Sequence, residues 1–348
     1  MILLWRGDMI MVSTQSIFIL QEVGKNIGDE HLSKFLAFLI DIFMELNPEY
    51  FRINKIGRKR VYPLHEMLGL HFWGDINEKV SCRKKEEMCV GTDEKVKMLI
   101  TGTPKKSQIN DFINSHSELI NEFDSFIVEF CHVMCLVDAK EFVGDGTFLD
   151  GNCNDFKALY PDEIEYIKKF LTEQEKHEKD YTLLYNHYYL NEESTEELLA
   201  IKKELKYHVN IHGIELIIKA LENDATYKKV MAKLEHMSEN ITKDNVRVSI
   251  VDPDAHLMKG KDNNWGFHYN LQEITDPKYG IIVEHYVTKQ PNDSREISKI
   301  TFRLIDKFHY DEFIGSFDNG YFNIKQLKEI INKTNVKISN SRYTNCKR

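Results

Sequence analysis

From Glu141 onward, strand-like and helix-like hydrophobic periods follow one another in an order that few folds accept. Glu141–Leu149 (EFVGDGTFL) reads as a strand whose apolar residues lead into a carboxylate at Asp145. Residues 161–241 are then helix-forming, acidic and rich in Glu, Lys and Leu. Strand signals resume at Val246–Val251, Trp265–Ile274 and Gly280–Val287, the last two joined by a turn at Asp276-Pro277. An amphipathic helix covers Ser294–Phe308, a short strand Phe313–Phe317 leads into Asp318, and a helix (Ile324–Lys333) and a strand (Val336–Ser339) follow. Without the acidic stretch, the order is strand, hairpin, helix, strand, helix, strand. In a mixed sheet wound this way the first and fourth strands lie side by side. Asp145 and Asp318 would then meet at one edge, where ligands of open α/β sheets gather.

Residues 12–135 read differently, as helices throughout. Residues 12–48 carry apolar faces built from Phe18, Ile19, Val23 and then Phe35, Leu36, Leu39, Ile42 and Phe43, and Asn47-Pro48 ends them. Pro63 starts a helix that Gly74 is expected to break, and Ser81 has N-cap chemistry for the next. Thr103-Pro104 and Ser107 open a last helical segment through Phe112, Leu119, Phe123 and Phe126. The expected class is therefore mixed α+β: an N-terminal helical region (1–48), a helical domain with helix-turn-helix character (49–135), and a mixed-sheet domain (136–348) with an acidic helical insertion at about 155–244.

The net charge of −9 argues against a nucleic-acid partner when taken as a sum, but its distribution argues the other way. Arg52–Lys106 holds 13 Lys and Arg against 7 Asp and Glu, and Lys325–Arg348 holds 7 against 1. Asp155–Asp244 holds 13 against 19, so the acidity sits in the insertion. A basic module, an acidic insert and a basic tail fit a DNA-handling protein; ordinary solvated faces account for the counts equally well. The six cysteines form no CxxC pair and read as reduced thiols of a cytoplasmic protein. Arg6 and Asp8 interrupt the apolar start too early for a secretory leader, and no apolar run approaches the roughly 20 residues of a membrane span.

Three stretches resemble insertion-sequence transposases that have an N-terminal helical domain and a ribonuclease-H-like catalytic domain. The first is Val61–Gly74 (VYPLHEMLGLHFWG) with Ser81–Glu86 (SCRKKE) and Pro104–Phe112; the second is Asp145-Gly-Thr with Asn152. The third runs from Asp252–Ala255 (DPDA) through Gly266–Gln272 (GFHYNLQ), Asp276 and Gly280–Val283 to Asp318–Phe322 (DNGYF). The resemblance covers the chain from about residue 50 onward. It rests on the order of these pieces, since DGT alone is common.

The resemblance implies that Asp145 and Asp318 are the first two acids of a catalytic triad for cleavage and transfer of double-stranded DNA with two Mg2+ (or Mn2+) ions, Asp145 bridging or binding one and Asp318 binding the other. Hard carboxylate oxygens suit that ion, and in-line displacement at phosphorus needs no covalent protein nucleophile. Element ends and target DNA are the implied partners, with self-association on DNA and a nucleoid location in the cytoplasm. The pattern's third acid, a glutamate among Tyr, Arg and Lys on a later helix, is not found. Glu329 is the one carboxylate after Asp318 and comes too early, so the reading is of a chain cut short. A catalytically dead DNA-binding remnant is the alternative, and a nuclease of the same fold the third.

Arg58, Lys59, Arg60, Arg83, Lys84 and Lys85 are the candidate phosphate contacts, set near helix starts where backbone amides also face outward. Asp252 and Asp254 could be extra metal ligands, but Asp252-Pro253 favours a turn. His268 and Tyr269 could reach a DNA backbone, although strand alternation would bury one of them.

Overall fold

The computed structural model describes residues 2–5, 8–11, 31–51, 61–91, 93–153, 157–260 and 263–340. The chain divides into two compact units, Met1–Asp138 and Ala139–Arg348.

In the first unit a two-stranded antiparallel ribbon, β1 (Ile2–Trp5) and β2 (Asp8–Met11), precedes the helices α1 (Leu32–Leu46), α2 (Pro48–Phe51), α3 (Leu64–Ile76), α4 (Cys82–Val90), α5 (Glu94–Leu99), α6 (Lys106–Ser115) and α7 (Ser117–Val133). The apolar stripe of α1 is buried at Leu36, Leu39, Ile40, Ile42 and Phe43, each worth about 2 kcal/mol of transfer free energy. These side chains share one core with Leu68, Trp73, Ile109, Phe123 and Phe126, so residues on both sides of position 48 form a single packed body. Phe43 meets Phe123 edge-on at 5.1 Å.

Helix α3 does not break at Gly74. It runs two residues further because the missing side chain there makes room for the Lys85 stem, whose Cε would lie 2.8 Å from a Cβ at Gly74. Ser81 caps α4 as expected, accepting from the Lys84 amide at 3.3 Å.

The second unit is a mixed α+β body. Its strands are β3 (Glu141–Asp150), β4 (Ala158–Leu159), β5 (Val248–Ser249), β6 (His256–Lys259), β7 (Trp265–Asp276), β8 (Ile281–Thr288), β9 (Ile314–Phe317) and β10 (Lys337–Asn340). The main sheet runs β10-β9-β3-β7, with β8 pairing Asn270–Asp276 and β6 pairing Trp265–His268 of β7. The first and fourth strands of the element order, β3 and β9, lie side by side and parallel, as do β9 and β10. The pairs β3–β7 and β7–β8 are antiparallel. Helices α13 (Ile297–Phe308) and α14 (Ile324–Lys333), described below with the site, pack on each other. Phe142 of β3 stacks on Phe308 at 5.3 Å, and Leu304 and Ile330 are fully buried.

Between β3 and β6 the chain builds the expected helical insertion: α8 (Pro161–Thr172), α9 (Glu178–Tyr189), α10 (Glu196–His208), α11 (Ile211–Ala220) and α12 (Asp224–Glu239), around Ile167, Leu184, Ile217 and Leu234. The strands β4 and β5 pair antiparallel at its base; β5 lies within the strand expected at Val246–Val251, whereas β4 is too short for a periodicity to reveal. Buried Glu163 clasps it, accepting from the amides of Tyr160 at 2.8 Å and Asn210 at 2.7 Å.

No helix among the described residues is long and apolar enough to cross a membrane.

Candidate functional site

Pairing of β3 with β9 ends at Gly144 opposite Phe317, and the next residue on each strand is an aspartate. Asp145 lies mid-way along β3, which continues to Asp150, and Asp318 directly follows the end of β9, so the two stand at the same level of neighbouring parallel strands, although most of the domain separates them in sequence. Both are exposed. Asp145 accepts from the Gly146 amide at 2.9 Å. Asp318 N-caps the short 3-10 turn Asn319–Tyr321, accepting from the Gly320 amide at 2.8 Å. Each carboxylate is thus oriented by one backbone donor and keeps oxygen lone pairs for water or a ligand.

A third carboxylate, missed from the sequence, belongs to the same neighbourhood. Asp293 begins the 3-10 turn Asp293–Arg295 ahead of α13. Its Oδ1 would lie 2.5 Å from a Cβ at Gly146, and its Oδ2 3.6 Å from a Cβ at Gly320, where Asp318 Oδ1 would lie at 3.0 Å. The two glycines thus let Asp293 approach the turn of one aspartate and the strand of the other.

The floor beneath is polar and buried. Asn270 and Gln272 of β7 are 1% and 0% exposed, and both side-chain amides donate to Asp293 Oδ1, at 2.8 and 2.7 Å. Gln272 also donates to Asn270 Oδ1 at 2.9 Å and accepts from the Tyr321 hydroxyl at 2.6 Å. Burial first, then the charges of Asp293, Asp145, Asp318 and Glu296, push the Tyr321 phenol above its ordinary range, so it stays a donor. Glu296 is itself buried and accepts from Tyr286 at 2.8 Å and Thr288 at 3.0 Å.

Strand patterning points away from this network, because the apolar alternates Phe267, Tyr269 and Leu271 lie on the other set of positions. From Asn270 to the end of β7 the buried positions are Asn270, Gln272, Ile274 and Asp276, while Leu271 is only partly covered. Polar side chains thus occupy the face that binary patterning reserves for apolar ones.

Among the described residues no group of three His, Cys, Asp or Glu side chains is placed to hold a metal ion. Two aspartates at one level of paired strands are nonetheless a chemically suitable pair for Mg2+, which binds through one or two carboxylates and fills its octahedron with water and substrate phosphate oxygens.

The remaining expected residues separate clearly. Glu329 donates nothing to this site: Lys333 at 2.8 Å and Ser298 at 3.3 Å hold it on α14. Asp252 and Asp254 act as fasteners, in line with their turn reading. Asp252 accepts from Tyr269 at 2.7 Å and the Asn152 amide at 3.2 Å. Asp254 accepts from Lys289 at 2.7 Å and lies 3.1 Å from His236. Tyr269 is thereby committed to structure, and His268 stacks on Phe148 at 5.9 Å. Asp276 is the hairpin residue expected, with both oxygens used, by Lys278 N at 3.0 Å and Ala139 N at 3.1 Å.

In the first unit Arg83 and Lys84 are exposed in the first turn of α4. Arg58, Lys59 and Arg60 lie outside the described residues. Lys85 corrects the sequence reading: it is fully buried, not a surface phosphate contact. Its ammonium meets His71 Nδ1 at 2.8 Å, His71 O at 3.1 Å and Asp75 Oδ1 at 2.8 Å. Helical periodicity explains the split, because Lys85 falls on the side of α4 that packs against α3. Comparison with protein-family models, with curated proteins and with solved structures found no match for this chain.

Proposed function

We propose that the chain is a DNA transposase component whose Ala139–Arg348 unit carries a two-aspartate Mg2+ site and whose Met1–Asp138 unit binds element-end DNA. The observation that carries this reading is the convergence of Asp145 and Asp318 at the same level of paired parallel strands. The sheet connectivity supports it: three antiparallel strands, then two parallel ones reached through helices, is the ribonuclease-H-like arrangement that the sequence resemblance implies.

Asp145 and Asp318 would hold the ion, their backbone donors fixing the carboxylate planes while lone pairs stay open. When bound, Mg2+ supplies Lewis-acid stabilisation of charge at a phosphate undergoing in-line displacement. Arg83 and Lys84 would contact DNA phosphates, alongside the outward amides of the capped first turn of α4.

A non-cleaving DNA binder is the second reading. It is favoured by one observation, that Arg83 and Lys84 stand exposed in the capped first turn of α4, an arrangement that can bind phosphate without a cation site. Fluorescence anisotropy with linear duplex DNA at several salt concentrations, together with a supercoiled-plasmid nicking assay in Mg2+, separates these. Salt-sensitive binding with nicking that Asp145→Asn and Asp318→Asn abolish supports the transposase reading. Binding without nicking supports the second, and absence of both overturns the proposal.

A further inference from the structure

Asp318 sits on a three-residue turn after a four-residue strand, and its own side chain bonds only within that turn. The β3–β9 ladder, which ends at Gly144 opposite Phe317, sets where the turn begins, and a side-chain contact fixes its far end. Tyr321, the last residue of the turn, is 1% exposed, with its ring 5.1 Å from that of Phe317. Its hydroxyl reaches across to Gln272, which pairs directly with Gly146, the residue after Asp145. One hydrogen bond of 2.6 Å therefore fastens the Asp318 turn to the strand neighbouring Asp145.

The orientation of the Gln272 amide is forced. Its Oε1 must accept from a phenol that burial keeps protonated, and its Nε2 must donate to the Asp293 carboxylate and to Asn270 Oδ1. A flipped amide would set its carbonyl oxygen against the Asp293 carboxylate and Asn270 Oδ1, which have no proton to give it. Nothing in folding alone requires such a device at this end of the sheet. Replacing both partners of a buried hydrogen bond by apolar groups of similar shape is often neutral for stability, and the neighbouring covered positions Phe142 and Ile274 are apolar.

We infer that Tyr321 and Gln272 are positioning residues of the Asp145–Asp318 site, holding the Asp318 turn at the distance from Asp145 that a shared divalent cation requires. The inference rests on the two-aspartate reading above. Outer groups that orient a metal's ligands commonly change affinity by about tenfold or more when removed.

The test is Mn2+ titration of the full chain, with free Mn2+ followed by electron paramagnetic resonance and the thermal midpoint recorded for every variant. The variants are Tyr321→Phe, which deletes one hydroxyl, the double Tyr321→Phe/Gln272→Leu, which makes the contact apolar on both sides, and Asp145→Asn. The expected result is about a tenfold weaker Mn2+ Kd in Tyr321→Phe and in the double variant, the double variant also melting lower because Asn270 Oδ1 and Asp293 lose the Gln272 donor. A merely structural pair would move the melting midpoint and leave the Mn2+ Kd of folded protein alone. Wild-type binding that Asp145→Asn weakens, but that both Tyr321 variants keep, overturns the positioning role alone. A wild type whose Mn2+ binding is absent, or indifferent to Asp145→Asn, overturns the two-aspartate reading and this inference with it.

Discussion

Replacing Lys85 separates a structural lysine from a DNA-binding one. Its ammonium has three protons and three acceptors, His71 Nδ1, His71 O and Asp75 Oδ1, and its stem is fully covered. Lys85→Met keeps most of the volume and deletes the charge. The loss is one set of charge-assisted hydrogen bonds, partly offset because an ammonium no longer has to be desolvated and because Asp75, 40% exposed, can turn to water. The net cost should be about 2 kcal/mol. Lys85→Ala also removes three buried methylenes beside Gly74, at about 0.8 kcal/mol each, for a total of about 4 kcal/mol. For a unit of this size those costs lower the melting midpoint by roughly 10 and 20 °C. Differential scanning calorimetry of the full chain reads both, and duplex-DNA anisotropy should find Lys85→Met within about twofold of wild type while Arg83→Ala and Lys84→Ala bind more weakly. An unchanged midpoint in Lys85→Met, with DNA affinity reduced as in Arg83→Ala, would refute the buried-lysine account.

Three further substitutions test other parts of the fold. Gly146→Ala should destabilise the second unit by about 2 kcal/mol in urea unfolding, although Ala usually improves on Gly in a strand, because the new Cβ would stand 2.5 Å from Asp293 Oδ1. Asp276→Ala leaves the Ala139 and Lys278 amides without their acceptor and should cost about 3 kcal/mol by the same measurement. Burial, then the charge of Glu45, raises Asp41 from 3.8 to about 6, so its neutral form favours the folded state: that stability is present at pH 4 and lost as pH rises through 6. Asp41→Asn should therefore stabilise the first unit at pH 7, by about 1 kcal/mol after allowing for partial solvation, with no gain at pH 4.

The large features were legible because they rest on periodicity and on connection order. Strands β3, β7, β8, β9 and β10 and the helices between them were expected close to where they lie, and the side-by-side placement of Asp145 and Asp318 followed from their order. What escaped depends on partners distant in sequence. Lys85 reads as one of three surface cations until the rotation of α4 against α3 turns it inward. Asp293 looks like an ordinary turn residue, and only the folded sheet brings Gly146, Gly320 and two buried amides to it. Gln272 was hidden for a different reason: strand patterning assigns Leu271 to the core, whereas the polar alternate carries the buried network.

The central claim is that Asp145 and Asp318 form one cation site, and a double-mutant cycle on Mn2+ binding tests it most directly. The Kd would be measured for wild type, Asp145→Asn, Asp318→Asn and the double variant, with folding checked by circular dichroism. If both carboxylates hold one ion, each single change weakens binding by about tenfold or more, and the double change weakens it by much less than the product of the two. Single changes that leave Mn2+ binding intact, or whose effects multiply as those of independent sites would, contradict the claim.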